Sequence, residues 1–205
     1  MKNTLFALIV VLQQFIAISQ TMPQAFEENE RWGYKNQEKI VIPPRFQLAM
    51  EFSEKGIAAV VDSNGWAYIN SLGYVILRPF VYDNGPDYFV EGLARFVQDG
   101  KMGFFDEWGR IIIKPQFDFA EPFSEGTAFV NNGCYKEHDG EHYRMIGGKW
   151  GAVNAKGEII VALEADEIQK SDDKKIHYTK NGIKQTIDLK ENKTNAKNSK
   201  NKKNN

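Results

Sequence analysis

A single cysteine, Cys134, stands in 205 residues, so no disulfide can form within the chain and its stability must come from burial. No apolar run reaches the roughly 20 residues that a membrane-spanning helix needs. The longest, Leu5 to Ile18, has 14 residues and is interrupted by Gln13 and Gln14. There is no glycine loop followed by Lys-Ser/Thr to cradle a phosphate, no Gly-x-Ser-x-Gly elbow and no histidine paired with a nucleophile. Basic charge is also scarce where a nucleic acid would need it. Residues 20–189 carry 19 Lys and Arg against 26 Asp and Glu, a net charge of −7, which argues against a nucleic-acid groove.

The two ends differ from the middle. Lys2, the apolar stretch and the small residues of Ala17-Ile18-Ser19 together read as an export signal over residues 1–19, with cleavage after Ser19. No cysteine lies near that site, which disfavours a lipoprotein anchor, and no transmembrane span is expected in the mature form. Residues 190–205 hold six lysines against Glu191, a charge of +5, and one apolar residue, Ala196. Such a segment cannot bury enough surface to order itself and is expected to be disordered. It reads as a solvated end that could also make electrostatic contact with anionic surfaces.

Between the ends one phrase recurs. Trp32-Gly33, Trp66-Ala67, Met102-Gly103 and Trp150-Gly151 open four copies spaced 34, 36 and 48 residues apart. The first three copies each run on to proline (Pro43-Pro44, Pro79, Pro115). Each then reaches a Phe ahead of an acidic-Gly turn: Phe52 and Gly56, Phe89 and Gly92, Phe123 and Gly126. Self-similarity at this period marks a modular array, in which each unit buries its apolar face against its neighbours. In the third copy, Gly100–Asp106 reads as a short strand and Glu107–Arg110 as a turn. Ile111–Ile113 is a β-branched strand ending at Lys114-Pro115, and Thr127–Val130 is a third strand. The glycine after the aromatic is expected to permit a close approach, and the turn glycine to take a positive φ. Ala58, Ala94 and Ala128, two residues past each turn glycine, supply small packing positions. The expected fold class is therefore all-β: a tandem array of about four short antiparallel three-stranded repeats over residues 31–163, preceded by a lead-in at 20–30. Residues 164–189 should close the array as a C-terminal capping hairpin around Asn181-Gly182.

These phrases resemble the WG-repeat (KWG-type) family. The best-matching segments are Gly148-Lys149-Trp150-Gly151-Ala152-Val153-Asn154, Lys114-Pro115-Gln116-Phe117-Asp118 and Phe123-Ser124-Glu125-Gly126. The chain departs from the pattern at Ala67 in place of glycine, at Met102 in place of tryptophan, and in a fourth copy without its proline and Glu-Gly turn. The resemblance implies a β repeat array, often exported, and carries no catalytic residues across.

The gap before the fourth copy holds an insertion, 132–147, with one tempting motif. His138-Asp139-Gly140-Glu141-His142 matches the inverted zinc-peptidase pattern His-x-x-Glu-His, which would make His138 and His142 metal ligands and Glu141 a base. Zinc chemistry wants the two histidines on one helical face, yet Gly140 interrupts the motif and strands flank it. Read as a hairpin turning at Asp139-Gly140, the segment pairs His138 with Glu141, Glu137 with His142, Lys136 with Tyr143 and Tyr135 with Arg144. Asp62-Ser63-Asn64-Gly65 resembles the start of a calcium loop but lacks the later ligands and reads as a turn, as does Asp83–Asp87.

Two functions stay open. The first is an exported, non-catalytic binding or scaffold module at the cell envelope, with a protein or envelope-glycan partner, no cofactor, and Trp108, Tyr82, Tyr88 and Tyr143 as loop aromatics. The second is a metal-dependent hydrolase using His138, Glu141 and His142.

Overall fold

The computed structural model describes residues 22–140 and 142–189; the expected signal segment and lysine-rich tail lie outside them. The protein is all-β, with five small antiparallel sheets in tandem. The first contains β1 (Gln24–Glu28), β2 (Arg31–Asn36) and β3 (Lys39–Phe46). The second contains β4 (Leu48–Ala49), β5 (Ile57–Asp62), β6 (Gly65–Asn70) and β7 (Val75–Leu77). A two-stranded hairpin follows, β8 (Val81–Tyr82) with β9 (Gly85–Pro86). The third sheet is β10 (Leu93–Gln98), β11 (Lys101–Asp106) and β12 (Ile111–Phe117). The fourth is β13 (Phe119–Ala120), β14 (Thr127–Asp139), β15 (His142–Asn154) and β16 (Ile159–Ala165). The fifth is β17 (Glu167–Ser171), β18 (Lys175–Lys180) and β19 (Ile183–Asp188).

The phase of the repeat is one strand away from that of the phrase. Thr127–Val130 does not join the sheet of β11 and β12; it pairs with Asn154–Gly151 of the following sheet. Each phrase thus supplies the last two strands of one sheet and the first long strand of the next. The lead-in likewise holds a strand, since β1 pairs with β2 from Gln24↔Lys35 to Glu28↔Arg31. The C-terminal element is a three-stranded sheet containing the Asn181-Gly182 turn, both turn residues at positive φ (52° and 76°).

Inner sheets bury both faces, so their strands read as near-continuous apolar runs rather than alternating ones. In β5, Ala58 and Val60 face Tyr34, Ile42 and Phe46 of the first sheet. Ile57 and Ala59 face Ala94, Phe96 and Phe105 of the third. Phe104, Ile113 and Phe117 meet Ala128, Val130 and Val153 across the next gap, and Ala152 and Val161 meet Ile176 across the last. The alanines at 58, 94 and 128 all look back toward the preceding sheet, where large side chains fill the gap from the opposite side.

The glycine of the phrase is required by a bulge. Met102 pairs with Phe117 and Phe104 with Ile113, so two residues of β11 oppose four of β12. Pro115 stands in the extra loop, where no ladder N–H is needed, and the strand resumes beyond it. A Cβ on Gly103 would lie 2.4 Å from the Ile113 carbonyl oxygen and 2.8 Å from the Pro115 nitrogen. Gly33 has the same surroundings, 2.5 Å from the Ile42 oxygen and 2.7 Å from the Pro44 nitrogen. In the fourth sheet Leu163 holds the proline position opposite Gly151, so the bulge survives without proline.

Candidate functional site

The second repeat breaks this pattern, and the break gathers the most distinctive chemistry in the chain. The β6–β7 ladder stops at Tyr68↔Leu77, short of the bulge. Pro79, which the spacing equates with Pro115, instead bridges Phe96 of the third sheet. The length match is coincidental: residues lost at the bulge are replaced by the β8–β9 hairpin farther on. With no strand crossing beneath residue 67, a glycine is unnecessary there, and the buried Ala67 fits.

Side chains make good the missing ladder. The Arg78 guanidinium donates to the Trp66 carbonyl at 3.3 Å and grips Asp62 through two bonds of 2.8 and 3.1 Å. That engagement holds the Asp62 carboxyl below the usual range, with the Asn64 N–H adding to the effect. Asp62–Gly65 is accordingly a tight turn carrying an ion pair. The Trp66 indole N–H donates to the Asn84 carbonyl at 3.0 Å, which seats the β8–β9 hairpin over the ring.

The hairpin's base is fixed by a buried ion pair. Arg95 donates from Nε and Nη2 to the two Asp87 carboxylate oxygens at 2.8 and 2.7 Å. Its Nη1 reaches the Ala120 carbonyl at 3.0 Å, and its guanidinium lies 4.6 Å from the Phe80 ring centre. The Arg95 backbone N–H also donates to Asp87, and the two side chains are only 6% and 4% exposed. Such a fork needs every donor matched, because removing either partner strands a buried charge. At the hairpin tip Asp83 and Asn84 both take positive φ (47° and 64°), as a two-residue turn requires. The surface this assembly presents is aromatic: Tyr82 and Tyr88 are exposed, their rings 6.3 Å apart and nearly perpendicular.

Beside this hairpin, between the second and third sheets, lies a cleft of about 380 Å³ lined by Met50, Ile57, Tyr68 and Phe89, with Glu51, Glu54 and Glu107 among its carboxylates. Lys55 also lines it, with its ammonium 4.8 Å from the exposed Trp108 ring. Arg110 stacks on the same indole at 4.9 Å. Of the four loop aromatics named from the sequence, Tyr82 and Tyr88 meet each other. Trp108 stands with Lys55 and Arg110, and position 143 falls within β15.

The insertion of the fourth copy is an extension of that unit's own hairpin. β14 and β15 pair in one unbroken register from Thr127↔Asn154 to Asp139↔His142. The pairing read from the Asp139-Gly140 turn is therefore corrected: His138 stands opposite Tyr143, Glu137 opposite Arg144, Lys136 opposite Met145 and Tyr135 opposite Ile146. The reason is long-range. Ala128, Val130 and Val153 are locked into the core and share the register of the tip. A two-residue slip would keep their faces but move Val153 and Gly151 out of step with the core and the bulge, so the base dictates where the tip falls. Glu137 accepts from Arg144 at 3.3 Å. Positions 138 and 142 fall in adjacent rows of the ladder, which alternate between its two faces; Glu141 lies outside the described residues. Among the described residues no group of three or more His, Cys, Asp or Glu is placed to hold a metal ion.

Lysine and aspartate join successive units. Lys101, just before Met102, pairs with Asp118 at 2.6 Å, and Asp118 also accepts from the Gly133 N–H at 2.7 Å in the next hairpin. One unit on, Lys149 pairs with Asp166, which accepts from the Asn181 N–H at 2.9 Å. Both pairs have the same separation, 17 residues from lysine to aspartate, a recurrence the sequence holds.

Stacked antiparallel sheets, a glycine under each regular bulge and these inter-unit ion pairs define a tandem β-repeat protein. Residues 32–66, 66–101 and 102–133 each match the model of the WG containing repeat, and the chain belongs to that family. No curated protein matches it.

Proposed function

We propose that this protein is an exported, non-catalytic binding module of the cell envelope, recognising a protein or glycan partner through the aromatic surface of its second repeat. The observation that carries the reading is the coincidence at one place of the array's main irregularity and its exposed Tyr82–Tyr88 pair, braced by buried Asp87–Arg95. Local rules are broken where a protein has a use for the breach. A buried fork beneath two exposed rings spends stability on presenting them. Neighbouring tyrosines offer flat apolar faces with polar tips, suited to sugar rings or to apolar side chains. Export rests on residues 1–19 alone.

The test is affinity capture from solubilised cell envelope, comparing the wild type with Tyr82→Ser/Tyr88→Ser. Loss of retained partners in the variant, at unchanged melting temperature, is the expected result; identical capture by both proteins defeats the reading. Mass measurement of the mature chain, beginning at Gln20, tests export separately.

A further inference from the structure

We propose that the cleft between the second and third sheets receives lysine side chains of the C-terminal segment, residues 190–205, so that the chain covers its own cleft. Three independent observations point to a cationic occupant.

The first is the lining. Glu51, Glu54 and Glu107 bring three carboxylates to a cleft whose floor includes Tyr68 and Phe89. Lys55 is the one cation among the lining residues, and its ammonium is directed to Trp108. Glu51 is partly engaged, accepting from the Ala25 N–H at 3.2 and 3.3 Å; Glu54 and Glu107 accept no hydrogen bond from a described residue. An ammonium beside carboxylates and over aromatic faces is stabilised by both.

The second is a polar group in the wall that no described side chain occupies. Tyr68 is 8% exposed, and its hydroxyl has no hydrogen-bond partner among the described residues. Its counterpart one unit earlier, Tyr34, donates to the Met50 carbonyl at 2.7 Å. The Tyr68 hydroxyl opens to solvent at the cleft rather than being sealed away, and its oxygen can accept from an ammonium entering there.

The third is charge and reach. Sixteen residues follow Leu189, with six lysines against one glutamate, on a body of charge −7. Sixteen extended residues reach about 50 Å. The fifth sheet and the cleft are separated by about 20 to 30 Å if neighbouring sheets pack roughly 10 Å apart.

Tryptic release of the tail from the full chain tests this directly. Wild type, Glu54→Gln/Glu107→Gln and a control of equal charge, Glu30→Gln/Glu38→Gln at exposed turns of the first sheet, are compared at low salt, with thermal melting to check folding. The tail should be released about three- to tenfold faster from the cleft variant than from wild type or control, and the gap should close at high ionic strength. Tyr68→Phe, which keeps the ring, should give a smaller increase in the same direction. Equal rates in all four proteins overturn the proposal. So does an increase in the control as large as in the cleft variant, which would reduce the effect to general charge.

Discussion

The Phe104 ring meets Phe123 edge to face, centroids 4.7 Å apart and planes at 67°. One residue comes from the strand after Met102-Gly103 and the other from the Phe-Ser-Glu-Gly turn that leads into the next sheet. The pair therefore closes one core at the point where the chain crosses it. Earlier units repeat the contact, as Tyr34–Phe52 at 4.7 Å and Tyr68–Phe89 at 6.1 Å. In the fourth unit the turn motif is missing, and the strand position holds Ala152. Ring and turn are retained or lost together, as partners in one packing contact should be.

Removing one ring of this pair leaves a cavity in the core shared by the third and fourth sheets. Phe123→Ala should cost about 3 to 5 kcal/mol, as large-to-small core changes do, measured by urea unfolding. A double-mutant cycle with Phe104→Leu should show coupling of about 0.5 to 1.5 kcal/mol. Strict additivity would mean that the edge-to-face contact adds nothing beyond burial.

Residues 67 and 103 make a sharper comparison, because they occupy the same place in the phrase. A methyl at 103 collides with the backbone of the crossing strand, whereas Ala67 already carries one without strain because that crossing is absent. Gly103→Ala should lower the melting temperature by several degrees or prevent folding. Ala67→Gly should cost only about 1 kcal/mol, from backbone entropy and a lost methyl. Similar losses from the two substitutions would show that bulge geometry does not set the preference.

The contrast also marks the limit of what the sequence discloses. Strand composition, turn residues and periodicity made the all-β tandem array legible, since they act locally. The exchange within the second repeat was hidden because two compensating length changes kept its period near the others. Pro79 was thus equated with a proline whose structural role it does not share. The insertion's register is hidden for a related reason: Asp139-Gly140 is a good local turn, but buried residues a dozen positions away decide the pairing. The Asp87–Arg95 fork gave no local signal at all, being eight residues apart in an irregular stretch. An arginine set among the apolar residues Leu93, Ala94, Phe96 and Val97 of β10 is its trace.

A buried polar atom offers a third test. Asn131 lies in the core with its Nδ2 donating to the Gly147 carbonyl at 3.2 Å, while Oδ1 has no partner among the described residues. Corresponding positions in the second and third sheets, opposite Trp66 and Met102, hold Val61 and Val97. An unsatisfied buried acceptor costs about 1 to 3 kcal/mol. Asn131→Val should therefore stabilise the protein by about 1 kcal/mol in urea unfolding. Destabilisation would show that the Gly147 bond outweighs the orphaned oxygen.

The ion pairs between units predict a pH dependence of definite sign. The Gly133 N–H, followed by the Lys101 ammonium, holds the Asp118 carboxyl below its usual range. A carboxyl whose folded pKa is depressed contributes stability above its unfolded pKa and loses it as pH falls through the folded value. The stability difference between wild type and Asp118→Asn should therefore be constant from about pH 7 to 5 and shrink below about pH 4, where the unfolded carboxyl begins to protonate. Lys101→Met should shrink that difference across the neutral range, because the carboxylate then keeps only its backbone donor. A wild-type-to-variant difference that stays level down to about pH 2 would mean that Asp118 gains nothing from its charge in the fold. The lysine and aspartate recurring in the phrase would then have to be explained by something other than the joining of neighbouring sheets.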